Sequence, residues 1–398
     1  MSATAAVAAV ITAPALVTPA EAQQRQEQPI RLELGGYFMA YFMGGDQERR
    51  LNKPGNGFRN HGIARESEIF FLGSTQLDNG LVVGARIELE GETSADQIDE
   101  TFMFFEHVRY GRLEAGQTKS AANKMFYGAP DPVPGFGFNS PTFNTIQPGF
   151  NTALSNTYIQ IGASGDEEKL TIFTPQMYGV QFGISYTPNG CEASTAAPAC
   201  VPAGDGFQNK QNIGRMSKVV EMALSYTESF GDFDLGAYAG GGFGRVEQNG
   251  VNGEFQNRKQ WGLGWVGSYA GVTLGMSYRW DNVGFRRGTL GNDPLNLQPT
   301  TQQDFNIGAV YQFGPWTVGA QYHRTWVQLT DDTNNRFERK DKFDGVIVGG
   351  TYLLGPGIQL AGGVEWRNFR GPDRTPASQR NDAENEGVTF VLGSVLSF

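Results

Sequence analysis

The chain has 398 residues, a mean hydropathy of −0.36 and a formal net charge of −10. Past the N-terminus no run approaches the roughly 18 apolar residues of a spanning helix, which excludes a helical membrane protein. The acid excess offers no basic stripe to a nucleic acid. A membrane β-barrel stays compatible, because only every second residue of its strands faces lipid.

Residues 3–17 are small and apolar, and Ala20-Glu21-Ala22 forms an A-x-A cleavage site before Gln23. Residues 1–22 are therefore expected to be an export signal, and 23–398 a single barrel domain. No Lys or Arg precedes the apolar stretch, a departure from the usual basic start.

From Arg31 onward the sequence alternates with period 2. Leu81, Val83, Ala85, Ile87 and Leu89 alternate with Val82, Gly84, Arg86, Glu88 and Glu90. Val180, Phe182, Ile184 and Tyr186 alternate with Gln181, Gly183, Ser185 and Thr187. The same pattern fills 272–281 and 358–367, and it ends with Val388, Phe390, Leu392, Leu396 and the terminal Phe398 opposite Thr389, Gly393 and Ser397. Each segment has one apolar face and one face of small or charged residues. A dry soluble barrel would have to bury that polar face at high cost.

The joints alternate as well. Turn chemistry recurs at Asp78-Asn79-Gly80, Tyr110-Gly111, 175–179, Gly231-Asp232, Tyr269-Ala270-Gly271, Phe313-Gly314-Pro315 and 354–357. Between these turns lie long connections at roughly 44–63, 91–100, 118–167, 188–216, 247–258, 282–302, 328–341 and 370–386. The count predicts an all-β fold, a transmembrane antiparallel barrel of sixteen strands with short turns on one side and long loops on the other. Residues 157–161 also alternate. A seventeenth strand would put the termini on opposite sides, so 156–162 is assigned to the third connection. That connection, 118–167, carries Phe126, Tyr127, Phe136, Phe138, Phe143 and Phe150 with several prolines. It is too aromatic for a solvated loop and is expected to pack inside the lumen.

Residues 169–175, a turn and 179–187 resemble the sixth and seventh strands of Gram-negative general porins. Residues 113–117 followed by the long connection resemble their fifth strand and constriction loop, and 134–137 the Pro/Phe/Gly tip of that loop. Phe398 resembles their assembly signal. The resemblance implies a trimer of water-filled barrels in the bacterial outer membrane, touching lipopolysaccharide and recognised by the barrel-assembly machinery through the last strand. Three positions depart from it. Asp131 is the sole acid between Thr118 and Gly165, where such loops often carry carboxylates opposite a basic wall cluster; Phe138 stands where glycine is common; and Ser394 replaces an often bulkier residue.

Cys191 and Cys200 share one loop, and in an exported chain this spacing predicts a local disulfide, with two free thiols as the alternative. The G-x-G-x-x-G match at 262–267 lies inside a strand, so it fails the context of a dinucleotide site. His61, His107 and His323 are scattered, and Asp331-Asp332-Thr333-Asn334-Asn335 lacks EF-hand spacing, so neither a metal nor another cofactor is expected.

Arg31, Glu33, Arg86, Glu88, Arg112, Glu114, Arg279, Glu365 and Arg367 share the polar parity of their strands. With Asp131 and Phe136 they are the pore-lining candidates. They could set a transverse field at the waist, simply wet the wall, or pair along a trimer contact. Arg324 breaks parity between Tyr322 and Trp326 and is expected near the outer rim. Acids such as Glu92, Asp96, Asp99 and Glu100 are assigned to a loop, where salt screens them beyond about 10 Å. The third connection then offers only Asp131 to oppose the inward arginines.

The reading is a passive diffusion channel for small hydrophilic solutes with mild cation preference, and not an enzyme. A substrate-selective channel, for example for anions, would want more cations in the third connection than Lys119 and Lys124. A structural or adhesive barrel would have a plugged lumen.

Overall fold

A computed structural model of the chain describes residues 30–48, 57, 59–91, 97–139, 142–146, 148, 159–190, 216–246, 256–283, 297–331, 339–371 and 384–398. The strands are β1 (Arg31–Gln47), β2 (His61–Gln76), β3 (Val82–Glu90), β4 (Ile98–His107), β5 (Gly111–Gln117), β6 (Glu168–Phe173), β7 (Val180–Asn189) and β8 (Met216–Phe230). They continue as β9 (Phe233–Val246), β10 (Arg258–Tyr269), β11 (Val272–Asp281), β12 (Leu297–Phe313), β13 (Trp316–Asp331), β14 (Arg339–Gly355), β15 (Ile358–Arg370) and β16 (Asn385–Ser397). One short helix, α1 (Ala121–Lys124), lies between β5 and β6.

Each strand pairs with its neighbours in sequence, and β1 pairs antiparallel with β16, so the sheet closes as a barrel. Closure leaves no edge with unpaired backbone groups, which a structure in hydrocarbon cannot tolerate. The terminal residue helps to seal the seam: Phe398 and Gly36 exchange backbone hydrogen bonds of 2.9 and 3.1 Å.

The alternation puts the apolar parity outside. Val388, Phe390, Leu392 and Leu396 are exposed on the outer wall, whereas Thr389 and Val391 are buried inside. The seven short turns share one device: Gly80, Gly111, Gly179, Gly231, Gly271, Gly314 and Gly357 all have positive φ. A side chain is strained there, and glycine is not. The expected sixteen strands and their order agree with this barrel, and residues 159–162 belong to no strand. Residues 1–22, Phe150, Cys191, Cys200 and the 332–335 part of the acidic loop lie outside the described residues.

Gly111 and Gly231 separate two costs. Both have positive φ, but a Cβ on Gly111 would run into the Phe173 carbonyl oxygen, whereas one on Gly231 meets nothing within 4 Å. Gly111→Ala should therefore destabilise the barrel by about 1–2 kcal/mol more than Gly231→Ala. Urea unfolding followed by tryptophan fluorescence in detergent checks the difference; equal midpoints would refute it.

Candidate functional site

The segment between β5 and β6 enters the barrel and follows its inner wall. Ser120 caps α1 by accepting a hydrogen bond from the Asn123 backbone N–H at 3.3 Å. Ala121 and Ala122 are small enough to lie flat on the wall. There the Ala121 N–H donates to Ser185 Oγ at 2.7 Å, and the Tyr238 hydroxyl donates to the Ala122 carbonyl at 2.8 Å. The backbone at Tyr127 and Gly128 then passes so close to β10 and β11 that a Cβ on Gly264 or Gly275 would collide with a loop carbonyl. Gly262 likewise leaves room for Ile161 on the return path. The glycine-rich match at 262–267 thus has a steric purpose, the close approach of another backbone.

The tip of the segment builds a hydrophobic core against β13–β16 and β1. Phe136 stands edge-on to Tyr41 at 4.9 Å and lies 5.0 Å from Phe143. Phe138 is 0% exposed; it stacks on His323 at 5.5 Å and fills space that Gly345 leaves open. The bulky residue is accommodated by a glycine in the wall, so it points away from the channel. Val327, Leu329, Phe343, Ile347, Phe369, Val391 and Val395 complete this core from the inner wall. Such buried apolar contact and edge-to-face rings hold a loop far better than polar contacts alone.

Polar groups pin the same segment. The Phe138 N–H donates to Gln321 Oε1 at 2.7 Å, and Asn306 donates to Asn139 Oδ1 at 2.7 Å. Thr145 donates to Glu365 at 2.7 Å, and Arg367 to Asn144 Oδ1 at 2.8 Å. On the return, the Ala163 N–H donates to Glu221 at 2.9 Å and Arg279 donates to the Gln160 carbonyl at 3.2 Å. The described part of the segment therefore lines the wall from β6 round to β16 and touches β1, while its root meets β4 and β5, where Thr118 donates to Glu100 and Lys124 contacts Glu114 at 2.7 Å.

Several sequence-predicted residues lie under the loop. Arg367 pairs with Glu365 at 2.7 Å and Arg279 with Asp304 at 2.8 Å; the two arginines are only 1% and 4% exposed. Phe136 and Asp131 are loop anchors too. Asp131 accepts from Gln321 at 2.8 Å and Asn139 at 3.1 Å, and burial pushes its carboxyl up to about 6. Arg31 and Glu33 sit at the exposed short-turn end of β1.

On β3–β5, Arg86 pairs with Glu88, and Arg112 contacts Glu106 at 2.7 Å and Glu114 at 2.8 Å. Lys124 reaches Glu114 at 2.7 Å, and Lys119 reaches Glu100 at 3.3 Å and Asp99 at 3.5 Å. Three of these cations also lie over rings: Arg86 over Phe70 at 4.7 Å, Arg112 over Phe104 at 4.1 Å and Lys124 over Phe102 at 4.5 Å. Burial opposes the charge on Lys119, but Asp166, Glu100 and Asp99 outweigh it and hold the ammonium above the ordinary lysine range. Burial pushes the carboxyl of Asp166 up to about 7.

Two expectations need correction. Asp131 does not oppose the inward arginines; wall carboxylates do. Asp99 and Glu100 belong to no outer loop, because β4 begins at Ile98 after a register shift between Ile87 and Leu89. Glu100 is 6% exposed and faces the loop lysines. Period counting missed it because the irregularity breaks the alternation.

A model of the Gram-negative porin family matches residues 3–372. This chain belongs to that family. The porin is 23% identical over 296 aligned residues to an uncharacterised protein of Rickettsia felis, an alignment covering 63% of this chain and 60% of that protein. Its fold matches the anion-selective porin from Comamonas acidovorans with a TM-score of 0.58 at 14% identity, covering 93% of this chain and 100% of that one. It matches the trimer form of OmpT from Vibrio cholerae with a TM-score of 0.53 at 11% identity, covering 92% and 99%. Identities this low establish the fold alone. Family and closed barrel together indicate an outer-membrane location.

The buried Asp131 carboxyl gives a pH test. Its proton is held more tightly with the loop docked than in a solvated chain, so docking strengthens as pH falls through about 6. In wild type, open-channel noise should be lower at pH 5 than at pH 7.5. Asp131→Asn, which mimics the protonated acid, should be quiet at both, corresponding to a docking gain on the order of 1–3 kcal/mol at neutral pH. Noise in the variant that still follows pH would refute the assignment.

Proposed function

We propose that this porin is a passive diffusion channel for small hydrophilic solutes and ions. The observation that carries the reading is the course of the third connection: its described residues lie inside the barrel and dock on the wall from β6 to β16, and its root meets the charged side chains of β4 and β5. A wet passage lined by charged side chains selects by width and charge, with no chemical step. The acid-rich inner face of β2–β5 supports a mild cation preference. The runner-up is an anion-selective channel, the property named for the Comamonas neighbour; it has two loop lysines and the wall arginines in its favour, all of them paired with carboxylates.

The proposal extends to assembly. Residues 1–22 direct export through the inner membrane, and Phe398 offers the barrel-assembly machinery its last strand. The protein works as a homotrimer, a reading supported by the trimer form of the Vibrio neighbour. Arg324 and Arg370 flank Asp344, which also accepts from the Tyr322 hydroxyl at 2.6 Å. With Lys342 on the same outward parity, this patch suits lipopolysaccharide phosphates. A Cys191–Cys200 disulfide closes the fourth long loop.

Planar-bilayer recording tests the channel directly. Wild type should give stable open channels, and deleting about residues 130–150 should raise their conductance in a barrel that still folds. Unchanged conductance would mean that the loop does not set the pore. For the disulfide, reduction should add two hydrogens to the intact mass and expose two alkylatable thiols; thiols that react in the unreduced protein would reject it.

A further inference from the structure

The long-loop end of the barrel holds a cavity of about 220 Å³ between the ends of β1, β2 and β16 and residues 144–146 of the third connection. Met43 and Ile146 give it an apolar floor. Its polar groups are mostly donors with nothing to donate to. Arg367, 1% exposed beneath the loop, donates to Asn144 Oδ1 at 2.8 Å. That bond fixes the amide and turns Asn144 Nδ2 away from the wall, with no partner among the described residues. Asn60 Oδ1 accepts from His61 Nδ1 at 3.0 Å, which leaves Asn60 Nδ2 as a second spare donor. Thr389 is 4% exposed, and its hydroxyl has no hydrogen bond among the described residues. A Cβ on Gly45 would stand 3.0 Å from that hydroxyl, so the glycine is what leaves it open to the cavity. Arg59 is exposed and holds no ion pair among the described residues. Below, Arg367 and Glu365 cancel each other at 2.7 Å. Asp46, the acid of the lining, pairs with Val388 on the outward parity of the wall. Buried polar groups are nearly always partnered, so a buried hydroxyl left open among spare donors calls for an acceptor that enters from solvent.

We infer that this cavity is a capture site for a short hydroxylated carboxylate. As a step in permeation it rests on the channel reading. The guanidinium fork of Arg59 matches a carboxylate with two parallel hydrogen bonds. Asn60, Asn144 and Thr389 then serve the hydroxyl oxygens, and Met43 and Ile146 take the carbon chain. A water occupies roughly 30 Å³ of liquid, so the space suits about seven heavy atoms, a solute of about three or four carbons. Such a site holds its solute weakly, as conduction requires, and it favours one class of solute without setting the sign of the ion preference.

Three probes separate the contributions: glycerate carries carboxylate and hydroxyls, propionate only the carboxylate, and glycerol only the hydroxyls. Binding of each to the purified full chain in detergent is titrated by saturation-transfer NMR at constant ionic strength, and heat-modifiable migration on gels verifies that each variant is folded. Glycerate should saturate at millimolar concentration and bind at least fivefold more tightly than either of the other two. Arg59→Gln should weaken glycerate at least fivefold, and Arg59→Lys, which keeps the charge without the fork, should recover part of that loss. Thr389→Val, which keeps the shape and removes the hydroxyl, should weaken glycerate at least twofold and leave propionate unchanged. Glycerate that binds no better than propionate, or that ignores Arg59→Gln, overturns the inference. Planar-bilayer currents keep the two readings apart. A wild type that conducts but shows no saturable glycerate binding leaves the channel and removes the capture site. A folded wild type that binds glycerate through Arg59 and conducts nothing overturns the channel reading, and the role in capture with it.

Discussion

Backbone hydrogen bonding is the constraint on which everything else in this molecule depends. A strand in hydrocarbon has no water to satisfy its N–H and C=O groups, so every strand needs two partners. β1 gains its second partner only by meeting β16, and the seam is completed by the terminal Phe398 bonding to Gly36. Nothing in the wall can therefore be lost without opening an edge. The short glycine turns follow from the same requirement, since neighbouring strands must reverse within a few residues and stay in register.

Closure creates an interior that must be filled, wetted or both. The chain divides it. The long segment after β5 turns its aromatic residues outward onto the wall, where Tyr41, Phe343 and Ile347 receive them. Glycines of β10 and β11 let its backbone approach. The polar parity of the strands is broken where this segment lies: Val327, Leu329, Val391 and Val395 are apolar residues on the inner face. The opposite arc, β2–β5, keeps charged residues such as Glu88, Glu100 and Glu114 on its inner face. Buried pairs such as Arg279–Asp304 and Arg367–Glu365 belong to the loop's anchorage, whereas the pairs Arg86–Glu88 and Arg112–Glu114 on β3–β5 keep their arginines partly exposed. A desolvated ion pair fixes geometry more than it adds stability, which fits an anchoring role.

The sequence by itself determined the barrel. Period-2 alternation, the count of turns and loops and the apolar last strand depend on local chemistry, and each was legible from residue order alone. So was the presence of an aromatic segment too greasy for solvent. The inner apolar residues of β13–β16, among them Val327, Ile347 and Val391, came to light only in the structure, where they mark the docking site of that segment. What only the tertiary structure decided was which charges face one another. Parity says that Arg86 and Arg367 both point inward, but not that one stays partly exposed and the other is sealed under a loop. Glu100 and Lys119 are close in sequence, but residue order does not show that they meet at 3.3 Å beside an irregular register between β3 and β4. Electrostatic partnership depends on distances across the lumen, which alternation along a strand does not encode.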